Sequence, residues 1–257
     1  MNIKVRPKKQ LGQHFLTDHN TAKRIANTLT GYGDYKTVIE VGPGTGMLTQ
    51  YLKEHPYQLI LSEVDQESID HLIAEKGYLS SDFIGDFLNI DPAYLSKEQV
   101  AVTGNFPYNI STQIVFKVIE HRDRIPEMTG MFQKEVAQRI CALHGSKVYG
   151  IISVLTQAFF HAEYLFTVNE GVFNPPPKVK SGVIRLQRLP SSPNCKTEDL
   201  FRVVKTAFNQ RRKMLSNALK PVLPEDYVDE MKILSKRAEQ LSVADFIDLT
   251  RSIYGSH

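Results

Sequence analysis

Two cysteines among 257 residues, Cys141 and Cys195, with no C-x-x-C and no histidine pairing nearby, exclude a disulfide framework and point away from a zinc site. Long apolar runs are missing as well: no stretch approaches the ~18 uncharged apolar residues that a membrane span requires. The opening MNIKVRPKKQLGQHF carries no apolar block of the kind found in a secretory leader. A soluble, cytoplasmic protein with no membrane partner and no metal is therefore expected. Acids are absent from residues 1–13, where Lys4, Arg6, Lys8 and Lys9 stand alone, so a basic flexible tail is expected there. No GK[ST] follows the glycine-rich loop at 42–46, which excludes a phosphate-cradling P-loop.

What is present bounds the architecture. With 42% hydrophobic residues the chain can build one large domain, or one domain plus a smaller appendage. TVIEVG (37–42), YQLILSEVD (57–65), DFIGD (82–86), QVAVTGN (99–105) and EMTGMFQK (127–134) are strand-like, and helical stretches such as STQIVFKVIEHR (111–122) separate them. Such alternation predicts a parallel sheet with helices on both faces. YGIISVLTQAFF (149–160) follows as a buried helix. YLFTVNEGVF (164–173) and SGVIRLQRL (181–189) then fit an antiparallel pair closing the sheet. PSSPNC (190–195) has the composition of a linker. Beyond it the pattern is helical: LFRVVKTAFNQ (200–210), MLSNALK (214–220) and SVADFIDLTRSIY (242–254). A boundary near residue 190 gives an α/β domain over 1–190 and a small all-helical domain over 191–257.

The chemistry-bearing residues sit at strand ends. In EVGPGTG (40–46) the glycines allow a tight turn and close approach of backbone to a ligand, although the spacing is not that of a dinucleotide loop. Glu63 ends the next strand about 20 positions on, where an acid can accept hydrogen bonds from a ribose diol. Asp86 ends the third, placed to accept from an adenine amine. Each acid alone has an ordinary reading as a surface strand-end residue. Their sequence at successive strand termini points to an adenosine-type ligand at the sheet edge. The fourth strand ends in GNFPYNIS (104–111). Its plain reading is a strand-ending turn, since Pro stops strands. The alternative is a clamp for a flat ring bearing an amine, with Asn105 as acceptor and Tyr108 as stacking surface.

Taken with GQHFL (12–16), QKEVAQR (133–139), FNPPPKVKSGVIRL (173–186) and FNQRRKMLSNAL (208–219), these motifs resemble the ribosomal RNA adenine dimethyltransferases from about residue 8 to the C-terminus. The resemblance is greatest to the bacterial branch, which acts on two neighbouring adenines near the 3′ end of small-subunit (16S-type) ribosomal RNA. It implies a Rossmann-like sheet dependent on S-adenosylmethionine, with His14, Leu16, Gly42, Gly44, Glu63, Asp86 and Asn105 lining the cofactor site. Two positions depart from the family pattern. His14 stands where the first motif usually has Asn, and Phe106 where Leu or Ile is commoner.

The resemblance also implies how the clamp works. The Asn105 side-chain oxygen and the Pro107 carbonyl accept from the exocyclic amine, Tyr108 stacks on the base, and Phe173 covers its other face; the plain reading of Phe173 is a core aromatic. RNA contact is expected from Lys8, Lys9, Lys178 and Lys180, and from Arg211, Arg212 and Lys213 in the helical domain. Solvated charged faces are the alternative. The implied partner is small-subunit ribosomal RNA within an assembling 30S particle, bound by a monomer. Two readings compete: a methyltransferase for large-subunit ribosomal RNA, and a non-enzymatic RNA-binding assembly factor on the same scaffold. A DNA adenine methyltransferase fits less well, because no inserted target-recognition domain is visible.

Overall fold

The computed structural model of the protein describes residues 5–90 and 98–255. Lys4 of the basic tail lies outside them. In chain order the elements are β1 (Phe15–Leu16), α1 (His19–Ala26), β2 (Thr37–Val41), α2 (Thr49–Leu52), β3 (Gln58–Ser62) and α3 (Gln66–Lys76). Then come β4 (Val100–Thr103), α4 (Ser111–Glu120), β5 (Glu127–Gln133), α5 (Lys134–Ile140), α6 (Ile151–Gln157), β6 (Phe160–Val168), β7 (Phe173–Asn174) and β8 (Ser181–Arg188). The helices α7 (Thr197–Asn209), α8 (Leu215–Ala218) and α9 (Val243–Tyr254) complete the chain.

Among the described residues six strands form one sheet in the order β3-β2-β4-β5-β8-β6. β2 runs parallel to β3 and β4, and β4 parallel to β5, whereas β8 is antiparallel to β5. Every residue of β2 and β4 is buried, as a parallel sheet covered on both faces demands. The chain leaves β2 outward to β3 and then returns to the other side as β4. The strand order therefore switches between β2 and β4, and open α/β sheets bind ligands outside the strand ends at such a point.

Two expected strands are different in the structure. DFIGD forms no ladder: Phe83 makes an isolated bridge to Leu61, and the flanking residues coil into 3-10 turns at Ser80–Asp82 and Phe87–Asn89. Gly85 adopts φ 73° in the middle of it, a value that ends strand geometry. The stretch 164–173 is divided by a 3-10 turn at Glu170–Val172. Its first part lies in β6, which begins at Phe160. Its last residue starts β7, which pairs outside the main sheet with β1 in the register Leu16↔Phe173.

The chain forms two compact units. One holds the described residues up to Ala137 together with Glu163–Arg188, and the other holds Gln138–Ala162 and the described residues from Leu189 on. Residues 138–162, which the sequence pattern leaves with the sheet, thus belong to the helical unit. α7 shows why that unit has a core of its own. Leu200, Val203, Val204 and Ala207 recur at helical spacing and are all buried, and Phe208 stacks on Phe246 of α9 with ring centroids 5.8 Å apart. Among the described residues no helix is long and apolar enough to cross a membrane.

Candidate active site

The turn after β2 is shaped by its glycines. Gly42 and Gly44 both have positive φ, and a Cβ on Gly44 would stand 2.9 Å from the Phe15 ring. Gly44 N–H donates to Glu63 Oε2 at 3.1 Å, which ties the turn to the end of β3. The other oxygen of Glu63 accepts from the backbone N–H groups of Val64 (2.9 Å) and Asp65 (3.0 Å). This carboxylate is 5% exposed. Burial raises its pKa, and the three backbone donors oppose that rise.

Asp86 caps the 3-10 turn that follows it, accepting from Leu88 N at 3.0 Å and from Asn89 Nδ2 at 2.9 Å. Each oxygen keeps a lone pair for a further donor. Leu11 to Phe15, Gly42, Gly44, Glu63, Val64, Asp86, Leu88 and the residues 105–110 together line one cavity of about 220 Å³. The sequence-predicted His14, Gly42, Gly44, Glu63, Asp86, Asn105, Pro107 and Tyr108 are thus brought to one place.

Asn105 directly extends β4. Phe106 N donates to Met131 O at 3.2 Å and Met131 N to Gly104 O at 3.0 Å, so the segment is held against β5. The Phe106 ring occupies the space that a side chain on residue 130 would fill, which is why β5 carries Gly130. The Asn105 amide nitrogen donates to the His14 carbonyl at 2.8 Å, and among the described residues nothing donates to its oxygen.

His14 itself is anchored by its ring. Nδ1 lies 2.8 Å from the Pro175 carbonyl, which can only accept, so Nδ1 carries the proton and Nε2 is left as an acceptor in the neutral ring. Its ring lies 5.5 Å from that of Tyr108. The Tyr108 hydroxyl is 2.7 Å from Ser181 Oγ, and burial raises its pKa. The Pro107 carbonyl already accepts from Ile110 N at 3.2 Å and has one lone pair left.

Several expected residues lie elsewhere or are otherwise engaged. Phe173 does not line the cavity: at 4% exposure it packs in the core with Leu16, Ile25, Val38 and Met131, the position its pairing with β1 imposes. Leu16 lines a separate void of about 20 Å³ beneath the glycine turn, with Glu40, Gly42 and Asn105 among its walls. Lys8 is ion-paired to buried Asp65, which also accepts from Gln13 Nε2 at 3.1 Å. Lys9–Leu11 form a 3-10 turn, so the expected flexible tail is built into the structure from Lys8 onward.

Lys9 and Lys178 line a second hollow of about 490 Å³, whose walls include His14, Tyr108, Gln133 and Pro175–Pro177. Lys180 is exposed. In the helical unit Arg211 Nη2 donates to the Lys147 carbonyl at 2.6 Å, while Arg212 and Lys213 are exposed. Sequence reasoning missed Gln13, Asp65 and Ser181. Asp65 stands two residues after Glu63 at the start of α3, a position visible in the motif. Ser181 carries no local signal.

The family model "Ribosomal RNA adenine dimethylase" matches residues 4–254. The chain is 53% identical over 259 residues to the ribosomal RNA small subunit methyltransferase A of Cytophaga hutchinsonii, covering 98% of this chain and 99% of that one. It is 54% identical over 254 residues to the protein of the same name in Flavobacterium johnsoniae, covering 97% of each. Among solved structures it is similar to a dimethyladenosine transferase from Plasmodium falciparum, with TM-score 0.75, 25% identity and coverage of 92% of this chain and 96% of that one. It is also similar to the 23S rRNA methyltransferase ErmE, with TM-score 0.70, 26% identity and coverage of 93% and 99%. The similarity near 50% over the full length is thus to proteins named for the small subunit, and that to the protein named for 23S rRNA is lower. The chain belongs to the ribosomal RNA adenine dimethylase family.

Proposed function

We propose that this protein dimethylates the N6 amines of two adjacent adenines near the 3′ end of small-subunit ribosomal RNA, acting as a monomer within an assembling 30S particle. The observation that carries this reading is the Asn105 amide. Its nitrogen is committed to the His14 carbonyl, so its oxygen is the end left for an amine. S-adenosylmethionine, when bound, supplies the methyl group as an electrophilic sulfonium substituent. The residues present fit such a group: a glycine turn closed to side chains, a buried carboxylate at the next strand end with one lone pair to spare, and a second acid one loop further on. Gly42, Gly44, Glu63, Asp86 and His14 are proposed to hold it. Leu16, behind them in the core, supports the turn.

The exocyclic amine of adenine is a weak nucleophile because its lone pair is delocalised into the ring. Two acceptors, Asn105 Oδ1 and the remaining lone pair of Pro107 O, favour a pyramidal nitrogen whose lone pair is aimed along the line of transfer. The new N–C bond replaces the donor's S–C bond, whose electron pair would return to sulfur to leave a neutral thioether; the amine proton then leaves to solvent, and no side-chain base is required. After one methylation a single N–H remains, so either acceptor suffices for the second. Tyr108 supplies a stacking face, and Ser181 fixes its hydroxyl. The chain's contribution is mostly proximity and orientation. The target base has to leave its stack to reach this site.

The test is single-turnover methylation of 30S particles that lack the modification, followed by primer extension. Stops at two adjacent adenines in small-subunit RNA are expected. Transfer only to large-subunit RNA, or to neither, would rule the reading out.

A further inference from the structure

Glu40 opens the glycine motif and has no part in the chemistry above. It lies on β2 at 1% exposure, and its Oε2 has no hydrogen-bond partner among the described residues. The void it lines, of a size to hold about one water molecule, shares Gly42 and Asn105 with the larger cavity. A buried carboxylate with an open oxygen is stable only when neutral or opposite a cation.

Among the described residues the groups that act on it include no cation; Lys53 Nζ lies instead over the Tyr78 ring, 3.6 Å from its centroid. Glu63 at the end of β3 is a second acid, and Tyr78 after α3 is a phenol that burial keeps neutral. Thr49 on α2 points its hydroxyl toward the carboxyl without completing a well-formed hydrogen bond. Burial pushes Glu40 up to about 8; Thr49 opposes this, and the Glu63 charge adds a smaller push in the same direction as burial. The acid therefore holds a proton at neutral pH in the free protein.

The ligand class that would relieve it is a cation admitted through the adjoining cavity. The methyl donor qualifies: its sulfonium and ammonium outweigh its one carboxylate, whereas the thioether left after transfer has no net charge. We propose that Glu40 is the counter-charge of the cationic methyl donor, giving up its proton to solvent when the donor binds and regaining it when the neutral product takes the donor's place. The site thereby distinguishes donor from spent product by charge. This rests on the S-adenosylmethionine reading.

Calorimetric titration of the full chain in two buffers of different ionisation enthalpy counts the protons exchanged. Wild-type protein at about pH 7 is expected to release a large fraction of one proton on binding S-adenosylmethionine, falling toward zero above about pH 9. S-adenosylhomocysteine is expected to release much less. Glu40→Gln should abolish the release and narrow the preference for donor over product, by roughly tenfold. Glu40→Asp, which keeps a carboxyl, should retain part of the release and guards against a Gln variant that fails to fold. Donor binding without proton release in the wild type, or unchanged release in Glu40→Gln, would overturn the proposal alone. No binding of the donor would overturn the cofactor reading and the proposal with it.

Discussion

The side-chain amide of Asn105 can present either end to a ligand, and the His14 carbonyl decides which. Asn105→Ala removes the acceptor and should lower methyl transfer on the order of a hundredfold, the scale of a misplaced reacting group, while freeing the His14 carbonyl should weaken cofactor binding by much less. Single-turnover rates at saturating RNA measure this; a wild-type rate would return GNFPYNIS to an ordinary turn. Glu40 yields a prediction about stability. Its carboxyl titrates near the usual range when unfolded and at about 8 when folded, so between those values the folded state holds a proton that the unfolded state has lost. Cofactor-free stability should fall as pH rises from about 5 to about 8 and then level off. Glu40→Gln should gain on the wild type across that window, reaching a few kcal/mol at its upper end. Denaturant melts at several pH values would show parallel curves if Glu40 ionises freely. That Asn105, Glu63 and Asp86 would come to one cavity was legible in the sequence, because the first two follow strands and Asp86 a strand-like run, each in a recognisable motif. The group that orients Asn105 was not, being a backbone carbonyl 91 residues away.

At the scale of elements, the segment 8–14 closes the site as a strap with three attachments. Lys8 and Gln13 grip Asp65, the His14 carbonyl takes the Asn105 amide, and the His14 ring takes the Pro175 carbonyl. Leu11 to His14 form part of the cavity wall, so loosening the strap should ease ligand exchange. Its ionic attachment is half-exposed and subject to screening. Lys8→Met should speed dissociation of S-adenosylmethionine several-fold and make it less sensitive to salt, while leaving RNA affinity nearly unchanged. Stopped-flow release rates check the first expectation. A loss of RNA binding with normal release would make Lys8 an RNA contact instead. A run of basic residues without acids looks like a tail, because the acid that organises it lies 57 positions on. For the same reason local pattern exaggerated the strands: DFIGD and 164–173 have strand composition, but Gly85 and the turn at Glu170–Val172 interrupt them.

At the scale of the molecule, a net charge of +3 is too small to bind RNA through a general field, so affinity has to come from local clusters. The block at 211–213 lies in the unit that folds around α7, and its three cations are not equivalent. Arg211 donates to the Lys147 carbonyl and approaches Glu239, with Nε–Oε2 3.9 Å, and the Gly145 N–H of the same loop donates to the Glu239 carbonyl at 2.7 Å. Arg211 therefore braces the loop after α5, whereas Arg212 and Lys213 have exposed side chains. The double change Arg212→Ala with Lys213→Ala should weaken RNA binding and reduce the slope of log affinity against log salt by roughly one to two, the loss of two phosphate contacts. Melting temperature and cofactor affinity should stay unchanged. Arg211→Ala should do the reverse: the helical unit melts several degrees lower, while the salt slope changes little. Filter binding at four salt concentrations, paired with thermal melts, separates the two outcomes. If all three positions shift the slope equally with no change in melting, Arg211 leaves its carbonyl for phosphate when RNA arrives, and the brace seen here belongs to the free protein only.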